Sequence, residues 1–128
     1  MRLLAALASL SALTVLAVLL AAPGATGSPA APQRIQVTQD EWFLNLSRQR
    51  LRPGKVTIEV VNFGQDAHDL VVQRLVKGTK PIRFAKQDNF LRGGRAEKTV
   101  TLLAGKYTLW CSLPRHKQRG MVAPLTVR

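Results

Sequence analysis

From Arg34 onward, apolar and polar positions alternate. Ile35 and Val37 stand between polar neighbours, and Val56, Ile58 and Val60 are separated by Thr57 and Glu59. A period of two puts the apolar set on one face, which predicts half-buried β-strands. Between Leu51 and Val56 stands Arg52-Pro53-Gly54-Lys55, a type II turn signal: proline sets φ at the second position and glycine accepts positive φ at the third. Val71-Val72, Thr99 to Leu103, Lys106 to Cys111 and Leu125 to Val127 supply further short strands, with Ala104-Gly105 turning between two of them. There is no internal repeat. Short strands separated by turn signals predict an all-β, antiparallel sandwich or barrel. From Gly78 to Arg95, however, Pro81, Gly93, Gly94 and scattered basic residues interrupt the pattern. This stretch reads as a connection crossing one end of the sandwich, with Phe84-Ala85-Lys86 a candidate helical turn.

The beginning of the chain follows a different rule. Met1-Arg2 leads into an apolar run from Leu3 to Ala22, broken only by Ser9, Ser11 and Thr14, and then into Pro23-Gly24 and small residues. This is the pattern of a secretory signal, with Ala25-Thr26-Gly27 offering the small residues a signal peptidase inspects. The expected organisation is a signal peptide over 1–27, a linker over 28–33 and one folded domain over 34–128. The alternative is an uncleaved membrane anchor, because the 20 residues from Leu3 to Ala22 are long enough to span a bilayer. Either way the domain is expected outside the cytoplasm: periplasmic, cell-surface or secreted.

Length and charge then narrow the function. A chain of 128 residues has room for one domain, two at most, so a multidomain enzyme is excluded. With 19 Lys+Arg against 7 Asp+Glu the formal charge is +12, and losing residues 1–27 removes only Arg2, so the domain keeps 18 − 7 = +11. The single cysteine excludes an internal disulfide, a cysteine-rich zinc site and a paired-thiol redox motif.

The remaining chemistry is concentrated. His68 lies just before a predicted strand, and Cys111, His116 and Met121 follow near the C-terminus as Cys-x4-His-x4-Met. Apart from Met1, these are all the Cys, His and Met in the chain. A thiolate and two imidazoles form a trigonal set, and a thioether approaching weakly along the axis completes the blue-copper arrangement. Singly, each residue has a plainer role: cysteine and methionine fill cores, and a histidine beside Asp69 forms a surface pair. The exclusive use of the four donors favours copper. Zinc could use Cys and two His with water, but has no use for the methionine.

The segment Gly105-Lys106-Tyr107-Thr108-Leu109-Trp110-Cys111-Ser112, followed by His116, Gly120-Met121-Val122 and Leu125-Thr126-Val127, resembles the copper loop and last strand of small cupredoxins of the plastocyanin, azurin and rusticyanin kind. Asn62-x5-His68 is similar to the upstream segment that carries their first histidine ligand. The resemblance covers roughly residues 34 to 128 and is specific at those two segments. It implies a Greek-key β-sandwich with one type 1 copper ion at one end, held by His68, Cys111, His116 and Met121. It also implies a latch from the residue after the first histidine to the residue after the cysteine, here Asp69 and Ser112, where the family commonly has Asn in place of Asp69. Electrons would pass through His116. Its neighbours Arg115, Lys117 and Arg119 would then form the docking face of a monomer for an acidic redox protein.

Other functions compete unequally. An oxidase or nitrite-reductase-like enzyme needs further histidines for a second copper centre, and a binuclear electron-transfer centre needs two thiolates; the chain has neither to spare. A copper carrier or scavenger could use the same four ligands. A polyanion-binding sandwich is suggested by Arg48, Arg50, Arg52 and Lys55, and by the basic residues from Arg74 to Arg95, but few aromatics are available for nucleic-acid stacking. The expected role is single-electron transfer between redox proteins, with no catalysis.

Overall fold

The computed structural model describes residues 30–84 and 91–128. Among these residues the chain forms strands β1 (Gln33–Asp40), β2 (Phe43–Leu46), β3 (Arg50–Leu51), β4 (Gly54–Asn62), β5 (Leu70–Arg74), β6 (Ile82–Phe84), β7 (Arg95–Leu102) and β8 (Gly105–Trp110), a single helical turn α1 (His116–Arg119) and β9 (Val122–Val127). One sheet has the order β2-β1-β4-β7, the other β3-β9-β8-β5-β6. The alternation of β1 buries Ile35, Val37 and Gln39 on one face, and the parallel register Ile35↔Ile58 and Val37↔Val60 places two rows of branched side chains together. Leu70, Val72, Leu109, Leu125 and Val127 of the second sheet join them in one core. Each fully buried side chain of this size contributes about 1.5–3 kcal/mol of transfer free energy.

The fold is the cupredoxin-like β-sandwich, with two departures from a purely antiparallel reading. β1 pairs parallel with β4, and β3 pairs parallel with β9. Parallel neighbours need a long connection. Here β2 returns along the outer edge of β1, and the chain then crosses to the other sheet as β3 before coming back as β4.

The stretch from Gly78 to Arg95, expected to be a connection without strands, contains one. Ile82–Phe84 is an edge strand on β5, in register Leu70↔Phe84 and Val72↔Ile82, and Phe84 is fully buried. Phe84 therefore belongs to a strand rather than a helical turn, while Ala85 and Lys86 lie outside the described residues, as does the N-terminal segment 1–27. Pro81 stands immediately before this strand, where proline is tolerated because it removes no ladder donor.

Candidate metal centre

His68, Cys111, His116 and Met121 come from two segments of the sandwich, the turn before β5 and the loop between β8 and β9. His68 precedes β5, Cys111 follows β8, His116 opens α1, and Met121 precedes β9. Because β8 pairs with both β5 and β9, the ends carrying His68, Cys111 and Met121 are neighbours at one pole. The loop between β8 and β9 winds into one helical turn where an irregular loop is expected. Arg115 enters it with φ 66, and Arg119 N–H donates to Arg115 C=O at 3.1 Å. Met121 N–H donates to His116 C=O at 3.1 Å, and Cys111 N–H to Met121 C=O at 3.1 Å. The loop is thus closed on itself by its own backbone.

One side-chain nitrogen or sulfur from each of His68, Cys111 and His116 lies within 4.8 Å of the others. His68 Nδ1 is 3.2 Å from His116 Nδ1, and Cys111 Sγ is 3.5 Å from His116 Nδ1. Such spacings suit donors sharing one ion through bonds of about 2.0–2.3 Å. His68, Cys111 and Met121 are fully buried, and His116 is half-buried. Burial pushes the Cys111 thiol up to about 11. His116 is held below the usual imidazole range by its burial and by the neighbouring His68. Three converging donors with a fully buried thioether on the same loop could hold one soft or borderline metal ion.

A ring of hydrogen bonds holds these donors. Asp69 N–H points at Cys111 Sγ from 3.4 Å. The Asp69 carboxylate accepts both the backbone N–H and the hydroxyl of Ser112, joining the residues that follow His68 and Cys111. Gln39, fully buried on β1, donates from Nε2 to Asp69 C=O at 2.7 Å. Before His68, the Asn62 side chain shapes the turn: its Oδ1 accepts Gly64 N–H at 2.8 Å and its Nδ2 donates to Asp66 C=O at 2.7 Å.

Two residues that pattern reading passes over complete the site. The turn between β1 and β2 brings Glu41 Oε1 to 3.1 Å from His68 Nε2, and the Trp42 ring edge-on to His116 with centroids 4.9 Å apart. Glu41 is one carboxylate among seven, and nothing in its neighbours marks it. Gly120 lets this turn close. It has φ 125, and a Cβ there would meet Trp42 C=O at 2.6 Å. The three cations around His116 are exposed, but two have aromatic neighbours: Arg119 lies 4.2 Å over the Trp42 ring and Lys117 Nζ 4.8 Å over Trp110.

No family model matches this sequence, and no curated protein matches it. Solved structures do. An auracyanin from the photosynthetic bacterium Roseiflexus castenholzii is similar with a TM-score of 0.56 at 18% identity, over 77% of this chain and 99% of that one. Auracyanin A, a "blue" copper protein from Chloroflexus aurantiacus, gives 0.55 at 19% identity, over 77% of this chain and 100% of that one. A blue copper oxidase from Nitrosomonas europaea gives 0.55 at 18% identity over 77% of this chain, which spans 39% of that protein. The likeness places this chain in the cupredoxin-like fold.

Proposed function

We infer that the chain is an extracytoplasmic type 1 copper protein that carries single electrons, with His68, Cys111, His116 and Met121 as its ligands. The observation that carries this reading is the convergence of His68 Nδ1, His116 Nδ1 and Cys111 Sγ within 4.8 Å at one pole of the sandwich. Auracyanin A and the oxidase, which share the fold, are copper proteins by description, which supports copper over zinc. A copper ion held by these donors would accept and release one electron between Cu(II) and Cu(I).

The chain's own residues suit that task. The thiolate and thioether are soft donors and the imidazoles borderline, a set that tolerates both oxidation states. Asp69, Ser112 and the backbone of the loop hold the donors in place, so little has to move. Trp42 and the basic side chains leave His116 as the ligand nearest solvent. Electron carriage is favoured over copper delivery because three of the four ligands are fully buried, which slows exchange of the ion. It is favoured over oxidase chemistry because the chain's two histidines both belong to this one site. Location outside the cytoplasm rests on the apolar run from Leu3 to Ala22 and the small residues that follow it. Among the described residues no helix is long and apolar enough to cross a membrane. The partner proposed is an acidic redox protein that docks on the face carrying Arg115, Lys117 and Arg119.

The visible spectrum of the Cu(II)-loaded chain tests the reading. An intense thiolate-to-Cu(II) band that vanishes in Cys111→Ser is expected, and a colourless wild-type complex would overturn it.

A further inference from the structure

The carboxylate of Glu41 is held in place. Its Oε2 accepts Gln65 N–H at 3.0 Å and its Oε1 accepts Asp66 N–H at 2.7 Å, both amides belonging to the turn that leads into His68. Gly64 makes room for it, since a Cβ at Gly64 would fall on the Glu41 carboxylate. From this seat Oε1 lies 3.1 Å from His68 Nε2, the ring nitrogen opposite the one that faces His116. An ionised carboxylate only accepts, so Nε2 carries the ring hydrogen and Nδ1 presents its lone pair to the centre. His68 is fully buried and the Glu41 side chain 22% exposed, so water screens the charge on the histidine side only in part.

We propose that Glu41 is a positioning residue of the metal centre: it fixes the tautomer and direction of His68 and places a full negative charge behind that ligand, biasing the site toward its more highly charged, oxidised state. The proposal rests on the copper reading above. Carboxylates behind ligating histidines raise ligand basicity, and their removal typically weakens metal binding by about 10–100-fold.

The test uses the full chain and three variants. Glu41→Gln keeps an oxygen for His68 Nε2–H and removes the charge. Glu41→Ala removes both. Gly64→Ala leaves the charge and displaces the carboxylate. Nitrogen-15 NMR of the copper-free chain is expected to show His68 as the Nε2–H tautomer in wild type and Glu41→Gln, and as a tautomer mixture in Glu41→Ala and Gly64→Ala. In the copper-loaded chain, Glu41→Gln should keep the charge-transfer band and shift the redox equilibrium about tenfold toward the reduced state, which is 59 mV upward for one electron. Glu41→Ala should in addition lose Cu(II) to a chelator about 10–100-fold more readily. Retained far-UV strand signal controls for folding. A wild-type chain that binds no copper with colour would overturn the copper reading, and the tautomer measurement would still decide whether Glu41 positions His68. An unchanged tautomer in both alanine variants, or a blue Glu41→Gln protein with an unshifted potential, would overturn the proposal.

Discussion

Asp69 joins the two halves of the site by approaching Cys111 from both sides. Its N–H points at the Cys111 sulfur from 3.4 Å, and its carboxylate holds the backbone and hydroxyl of Ser112, the next residue along. The sheets place β5 beside β8, but this side chain sets how the strand ends meet.

Asp69→Ala should therefore destabilise the copper-free chain by about 1.5–3 kcal/mol, the range for a hydrogen bond to a charged group. Asp69→Asn keeps an oxygen for Ser112 N–H and should lose about half as much. Denaturant unfolding of the three proteins checks the order, and an alanine variant as stable as wild type would contradict it.

Copper binding should release one proton above neutral pH. Burial holds the Cys111 thiol up at about 11, so it is protonated at pH 8 and must lose its hydrogen to bind metal. His116 sits below the usual imidazole range and is already neutral there. Apparent Cu(II) affinity is expected to rise about tenfold per pH unit between pH 7.5 and 9, one proton being displaced. Titration calorimetry in buffers of different ionisation enthalpy counts the proton, and a pH-independent affinity would show that Cys111 is not a ligand.

Met121→Gln should keep the visible band and lower the reduction potential, because a harder oxygen donor favours Cu(II). The fully buried Met121 lies between two backbone hydrogen bonds to Cys111 and His116, so the substitution acts within a fixed loop. A potential equal to that of wild type would remove Met121 from the ligand set.

Gly120→Ala should cost about 1–3 kcal/mol and disturb the turn that carries Glu41 and Trp42. A side chain is strained at φ 125, and its Cβ would meet Trp42 C=O at 2.6 Å. A thermal midpoint unchanged from wild type would show that the turn has room to move.

These residues also mark how far the sequence could be read. The long alternating strands were legible because Ile35 with Val37, and Val56 with Ile58 and Val60, each repeat a period of two. β6 was hidden because three residues after Pro81 are too short to display a period. The helical turn at His116 buries no side chain, so it left no apolar stripe to find. The four candidate ligands were visible because the chain uses those donor types almost nowhere else. Glu41, Gln39 and Trp42 were not, because they reach the site only through β1 and its hairpin turn, a long-range event that composition does not record. Glu41 and His68 are 27 residues apart, and neither is unusual until the sheet brings them together.

The charge around His116 bears on the proposed partner. Arg115, Lys117 and Arg119 are exposed around His116, and the aromatic contacts of Lys117 and Arg119 hold two of these cations beside it without removing their charge. Rim charges chiefly set the rate of encounter, and physiological salt screens them beyond about 8 Å. Electron-transfer rates with an acidic redox protein should therefore fall as ionic strength rises. Arg115→Glu with Lys117→Glu should slow the reaction by on the order of tenfold or more at low salt and much less at high salt. Arg119 is left intact in that variant because it also covers Trp42. The opposing view is that docking uses the apolar surface of Leu113, Pro114 and Val122, of which Val122 is 43% exposed. Stopped-flow rates that stay flat with added salt, or a double variant slowed equally at every ionic strength, would favour apolar docking over electrostatic steering.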